Sequence, residues 1–164
     1  MLYIFDLDET LVRPIAGVKV PNKLTHQEMI PGVAAKCAEL RSAGHTLAIA
    51  SNQGGVAFGL CTLDEAGERI CVAGEVVGAS YSVMSLYHEK GTFPVVQYRG
   101  MGVYGVAVMV TPIYRKPQPG MLLWLMLRAE TAPADVIFIG DQDSDYEAAK
   151  NAGVRFAFAS EFFK

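Results

Sequence analysis

The stretch Leu2-Tyr3-Ile4-Phe5-Asp6-Leu7-Asp8-Glu9-Thr10 passes in one step from an apolar run to a cluster of carboxylates. Its first four residues, all apolar and partly aromatic or β-branched, read as a short buried strand. A strand without a polar face belongs in a sheet covered on both sides. The strand then ends on Asp6 and Asp8, two residues apart. At a strand end, residues i and i+2 point to the same side, so both carboxyl groups can face one pocket. Close carboxylates repel, and a site holding them needs a cation or must keep one of them protonated. The plainer reading of the same residues is a turn with caps.

Downstream the same alternation repeats. Pro31-Gly32 opens a helical pattern with Val33, Cys37 and Leu40 on one face, and Gly44 stops it. Residues 46–50 read as a second buried strand, ending at Ser51-Asn52-Gln53-Gly54-Gly55. From Asp64 to His88 the pattern is helical but interrupted by Gly67, Gly74 and Gly78, which predicts two helices with a break. Strands are predicted at 95–98, 106–110, 136–139 and 154–157, with an apolar helix over 118–128. Ser144 with Glu147 has the spacing of a capping box for a helix ending near Gly153. Strands without alternation, interleaved with helices, predict an α/β fold with a mostly parallel sheet. No repeat, linker or low-complexity tract divides residues 1–164, so a single domain is expected.

Composition narrows the function classes. About half of the 164 residues are apolar, 19% are charged, and the net charge is −3. That balance gives no overall pull toward nucleic acid or anionic membrane, so a polyanionic partner needs a local basic patch. Cys37, Cys61 and Cys71 form neither a CxxC pair nor a cluster with zinc spacing, which points to reduced thiols and no zinc. No signal peptide is visible, because Asp6 and Asp8 interrupt the first apolar run. The apolar stretches 103–110 and 121–127 are too short to span a bilayer. A soluble, cytoplasmic protein that does not enter membranes is the expectation.

Ligands of parallel α/β sheets sit beyond the carboxyl ends of the strands. Asp6, Ser51, Lys116 and Asp141 each follow a separate predicted strand, so one sheet edge receives two carboxylates, a hydroxyl and an ammonium. This set suits phosphoryl transfer. An ionised Asp6 can attack phosphorus with Mg²⁺ neutralising the incoming dianion, while a protonated Asp8 can give its proton to the leaving oxygen. Ser51 and Asn52 read either as helix caps or as phosphate contacts. Lys116 precedes a helix start, where a cation opposes the dipole, so local stability does not explain it. It can pair with Asp6 and the transferring group as a point charge. Arg115 is either a second phosphate contact or a solvated neighbour. Asp141, after Gly140, is a hard oxygen ligand suited to Mg²⁺, with Asp145 behind it. Asp143 and Asp145 also fit as helix-dipole partners. His26, His45 and His88 read as surface or packing residues.

The ordered motifs DLDET, SNQGG, YRKP-x-x-GM and GD-x-x-x-D resemble the haloacid dehalogenase (HAD) superfamily of phosphohydrolases over essentially the whole chain. The resemblance implies a Rossmann-like three-layer sandwich, an aspartyl-phosphate intermediate and Mg²⁺. It implies Asp6 as nucleophile and metal ligand, and Asp8 as acid/base and metal ligand through its backbone carbonyl. Lys116 would stabilise the intermediate and Asp141 would bind metal. Ser51 would bind phosphate, and Thr10 would support the first loop, giving a substrate-contacting group of Thr10, Ser51, Asn52 and Arg115. The short gaps between motifs imply the minimally capped subfamily of histidinol-phosphate, heptose-bisphosphate and polynucleotide 3′-phosphatases. SNQGGV, YRKP-x-x-GM and the closing FA-x-x-x-EFF resemble the polynucleotide members most. An open site would suit a nucleic-acid 3′-phosphate end, rimmed by Arg13, Lys19, Lys23, Arg99, Arg115 and Lys116. A sugar, nucleotide or histidinol phosphate is the alternative substrate. A phospho-accepting receiver domain is the competing class, but its accepting Asp lies at a middle strand and has no acid two residues later.

Overall fold

In a computed structural model that describes residues 1–91 and 102–164, the described residues form nine strands and five α-helices. The strands are β1 (Leu2–Phe5), β2 (Val12–Pro14), β3 (Gln27–Met29), β4 (Thr46–Asn52), β5 (Tyr81–Ser85), β6 (Gly102–Val103), β7 (Val106–Met109), β8 (Val136–Gly140) and β9 (Arg155–Phe158). The helices are α1 (Val33–Ser42), α2 (Leu63–Val77), α3 (Gly120–Arg128), α4 (Asp143–Ala152) and α5 (Ala159–Phe162). The strand expected at 95–98, and Arg99, lie outside the described residues.

Seven strands form one sheet in the order β6-β7-β5-β4-β1-β8-β9. Every pair is parallel except β6–β7. That pair closes through Tyr104 and Gly105, both at positive φ, as a tight hairpin requires. The chain runs outward from β1 through β4, β5 and β7, then returns across the sheet to β8 and β9. The reversal lies between β1 and β8, the crevice where α/β sheets place ligands.

Both faces of the sheet are covered. Phe5, Leu47, Ile49 and Ile139 face a core with α1 and α2. Leu2, Ile4, Ala48, Ala50, Val136 and Phe138 face a second core with α3 and α4. Neighbouring residues of β1, β4 and β8 thus serve opposite cores, which is why these strands show no polar alternation. The α/β, Rossmann-like three-layer architecture expected from the sequence is what the chain adopts.

Two expectations fail. Gly67 and Gly74 do not break the helix: α2 is continuous and ends at Gly78, whose φ of 72° is the left-handed stop. A Cβ at Gly67 would lie 2.5 Å from Val103 Cγ1, so this glycine allows α2 to approach β6 closely. The box expected at Ser144 and Glu147 instead forms at Gln142 and Asp145, and Glu147 lies 3.5 Å from Lys150. Several strands went unread: Tyr81–Ser85, inside the stretch expected to be helical, is β5, and Gly102–Val103 is the edge strand β6. Between β1 and α1 the antiparallel pair β2–β3 folds in register Val12↔Met29, with an exposed Arg13–Glu28 ion pair across it.

Candidate active site

Three strands bring their carboxyl ends together. β1 delivers Asp6, whose backbone N–H donates to Ile139 O of β8 at 2.9 Å. β4 carries Ser51 and Asn52 in its last turn of pleat, and β8 hands over at Gly140 to Asp141. Lys116 comes from the loop after the Pro112–Tyr114 turn beyond β7, before a cis peptide bond to Pro117.

Lys116 is the hub. Its ammonium lies 2.7 Å from Asp6 Oδ1 and 2.7 Å from Asp145 Oδ1, and donates to Ala50 O at 3.1 Å. The lysine and both carboxylates are buried. Burial opposes the Lys116 charge, but Asp6 and Asp145 outweigh it and hold the group above its ordinary value. Asn52 fixes the lysine's main chain: its Oδ1 accepts from Lys116 N at 3.0 Å and its Nδ2 donates to Lys116 O at 3.1 Å. Both ends of the Asn52 amide are thereby engaged.

Asp6 sits under opposing pressures. Burial pushes its carboxyl up most, Lys116 pulls it down, and Asp145 and Asp8 push it up again, leaving it at about 7. Asp141, half-buried, is raised chiefly by burial and then by Asp145. Asp6, Asp141 and Asp145 each offer a carboxylate oxygen, and these oxygens all lie within 4.8 Å of one another. Three carboxylates against one ammonium leave two positive charges wanting. Hard oxygen donors at that spacing fit a divalent cation such as Mg²⁺. Asp145 is the least available of the three. Its Oδ1 pairs with Lys116, and its Oδ2 accepts from the N–H groups of Asp141 and Gln142 at 3.2 and 3.1 Å. A Cβ on Gly140 would lie 2.5 Å from that Oδ2, so only glycine lets Asp145 fold beneath the strand end.

Asp8 belongs to a different neighbourhood. Arg69 of α2 donates to its Oδ1, and Gln53 Nε2 donates to its Oδ2 at 3.2 Å. The same Gln53 Nε2 donates to Ser51 Oγ at 2.9 Å. Thr10 is fully buried, with its hydroxyl 3.5 Å from Asp141 Oδ1. Arg115 donates to Tyr87 O at 3.1 Å and lines a cleft of about 440 Å³ with Tyr87, His88, Gln118 and Lys116. Of the expected basic rim, Arg13 is spent on Glu28. His45 packs on Tyr3 and His88 on Phe58, as the packing reading of the histidines expects.

Sequence reasoning missed Arg69 and undervalued Asp145. The signal for Arg69 was present: it falls in the apolar stripe Ala66, Ile70, Ala73, Val77 of α2, where a charge must find a partner. Asp145 was placed behind the metal ligand Asp141, with a helix-dipole role as the alternative, whereas it is the second anchor of Lys116.

Comparison with known proteins places the chain in a family. Residues 1–163 match the family model described as polynucleotide kinase 3 phosphatase. The D-glycero-β-D-manno-heptose-1,7-bisphosphate 7-phosphatase of Rhodopseudomonas palustris is 36% identical over 140 residues, covering 80% of this chain and 70% of that protein. The crystal structure of a HAD-like phosphatase from Mesorhizobium loti superposes with a TM-score of 0.69 at 21% identity, over 93% of this chain and 68% of that one. The D,D-heptose 1,7-bisphosphate phosphatase of B. bronchiseptica, complexed with magnesium and phosphate, superposes at 0.68 with 22% identity, over 94% and 78%. These two structures share the fold. All three relatives are named as phosphatases, and none as a receiver domain.

Proposed function

Since the chain belongs to the polynucleotide kinase 3 phosphatase family and is a HAD-type phosphomonoester hydrolase, we propose that it works through an aspartyl-phosphate on Asp6 and acts on a 3′-phosphate at a polynucleotide end. The observation that carries the chemistry is Lys116, placed 2.7 Å from both Asp6 and Asp145 beside Asp141. Asp6 and Asp141, with the main-chain carbonyl of Asp8, would hold Mg²⁺. Bound there, the ion neutralises the phosphate dianion so that a carboxylate can approach it.

The chain's own groups supply the rest. Asp6 attacks phosphorus, the ester P–O bond breaks, and Asp8 protonates the leaving oxygen. Water then attacks the acyl phosphate and loses its proton to Asp8, releasing Asp6 and inorganic phosphate. Lys116 balances charge on Asp6 in both steps. Ser51 and Arg115 contact phosphate oxygens or the adjoining part of the substrate. Thr10 supports Asp141, and Asn52 positions Lys116. One unit, residues 1–164, carries the whole reaction.

The polynucleotide reading is supported by the span of the family match and by the small insertion between β1 and α1, the β2–β3 pair with a single 3-10 turn at Leu24–His26. A second reading, a sugar bisphosphate, is supported by the 36% identity to the heptose enzyme. The test is Mg²⁺-dependent phosphate release from p-nitrophenyl phosphate, then from a panel of 3′- and 5′-phosphorylated oligonucleotides, nucleotides, histidinol phosphate and sugar phosphates. The expected result is highest kcat/KM on the 3′-phosphorylated oligonucleotide, and no activity with Asp6→Asn. A sugar bisphosphate at the head of the panel supports the second reading. Activity surviving Asp6→Asn overturns the nucleophile.

A further inference from the structure

Arg69 is the largest fully buried side chain among the described residues, at 2% exposure, and the reaction as written above does not use it. Burying a guanidinium is costly unless its donors are satisfied by an ion pair and hydrogen bonds. Its side-chain bonds run to the site or to the strand pair beside it. One Nη2 hydrogen goes to Asp8 Oδ1, Nη1 donates to Gln53 Oε1 at 3.2 Å, and Nε donates to Gln27 Oε1 at 2.7 Å. Gln53 closes the ring by donating to Asp8 Oδ2 and Ser51 Oγ. Gln27, at the start of β3, also donates to Arg69 O at 3.2 Å, so the β2–β3 pair holds the arginine from behind. Both Asp8 oxygens are therefore gripped, one by α2 and one by the residue after β4.

We propose that Arg69, braced by Gln27 and Gln53, is the positioning residue that aims the Asp8 carboxyl group at the leaving oxygen of the ester. This rests on the reading of Asp8 as the acid. With Oδ1 held by Arg69, the proton given to the leaving oxygen is delivered from Oδ2, the oxygen that Gln53 links to Ser51. As the P–O bond to Asp6 forms and the ester P–O bond breaks, that proton passes to the departing oxygen. An Asp8 freed from Arg69 spreads over other rotamers and meets this oxygen less often.

Misaimed acid catalysis has a signature that general structural damage lacks. p-Nitrophenolate departs with little protonation, whereas an alkoxide needs it. In Arg69→Met, kcat toward an alkyl phosphate should fall about 10²-fold, with p-nitrophenyl phosphate losing less than about tenfold and both KM values little changed. Arg69→Lys, with a single charged donor, should recover part of the alkyl rate. Should Arg69→Met fold poorly, Gln27→Ala unties only the Nε brace and should lower the alkyl-to-aryl ratio by a few-fold with the melting temperature monitored. In an Asp8→Asn background, Arg69→Met should add no further discrimination between the two esters. Equal losses on both esters, or an unchanged ratio in Gln27→Ala, overturn the inference. If Asp8→Asn itself fails to discriminate, the acid assignment falls; if Asp8→Asn discriminates and Arg69→Met does not, the positioning role alone falls.

Discussion

Asp6 and Asp8 leave the same strand two residues apart and enter opposite electrostatic conditions. On the Asp6 side, three carboxylates share the single ammonium of Lys116, and burial pushes Asp6 up to about 7. On the Asp8 side, one carboxylate has the buried guanidinium of Arg69 to itself, and an amide covers its second oxygen. The first side is two positive charges short; the second is balanced by the chain alone. The difference teaches which part of the reaction each side can serve. In the proposed reaction the charge deficit around Asp6 is filled by a divalent cation and a phosphoryl group, while the braced Asp8 carboxyl group moves a proton in a fixed direction.

The comparison breaks hardest at Lys116. Lys116→Met leaves Asp6 and Asp145 buried without their shared cation, and should cost roughly 3–5 kcal/mol in denaturant unfolding without metal. Added Mg²⁺ should recover part of this, and a loss below 1 kcal/mol would contradict the hub geometry. Next in size is the response to pH. The Asp6 carboxyl is raised in the folded state, so between about pH 4 and pH 7 the folded chain binds more protons than the unfolded one. Its contribution is therefore present below pH 4 and is lost as pH rises through 7. Asp6→Asn should abolish that slope in metal-free thermal unfolding, and Mg²⁺ should stabilise wild type more at pH 8 than at pH 5.5.

Smaller still is Asn52→Ala, which removes two bonds to the Lys116 main chain. It should cost about 1–3 kcal/mol and lower kcat while Mg²⁺ affinity holds. Smallest is Arg13→Gln. That ion pair has the chemistry of Arg69–Asp8 but both partners are about half exposed, so its loss should stay within about 1 kcal/mol.

Much of the site could be read from the chain because its residues stand at strand ends. Leu2–Phe5, 46–50 and 136–139 are short, largely apolar runs that only a doubly covered sheet explains, and each is followed within two residues by a polar group. What stayed hidden depends on three-dimensional approach. Gly67 looks like a helix breaker in sequence, yet it is small because Val103 presses on α2. Ser144-x-x-Glu147 has the spacing of a box, but Asp145 takes the helix-start N–H groups first because Gly140 leaves room for it. Thr62-x-x-Glu65 went unread, although it forms a capping box that starts α2 at Leu63. The Gln27–Arg69–Asp8 chain joins residues 42 and 61 positions apart, which no local pattern announces.

The claim that the Asp6 side takes up a divalent cation is tested most directly by calorimetric titration of Mg²⁺ at pH 6, run in two buffers of different ionisation enthalpy. The account predicts one ion per chain, with protons released on binding because the metal ionises Asp6. Asp141→Asn should weaken binding, and Asp6→Asn should remove the proton release. No saturable binding at millimolar Mg²⁺, or proton release unchanged in Asp6→Asn, would contradict it.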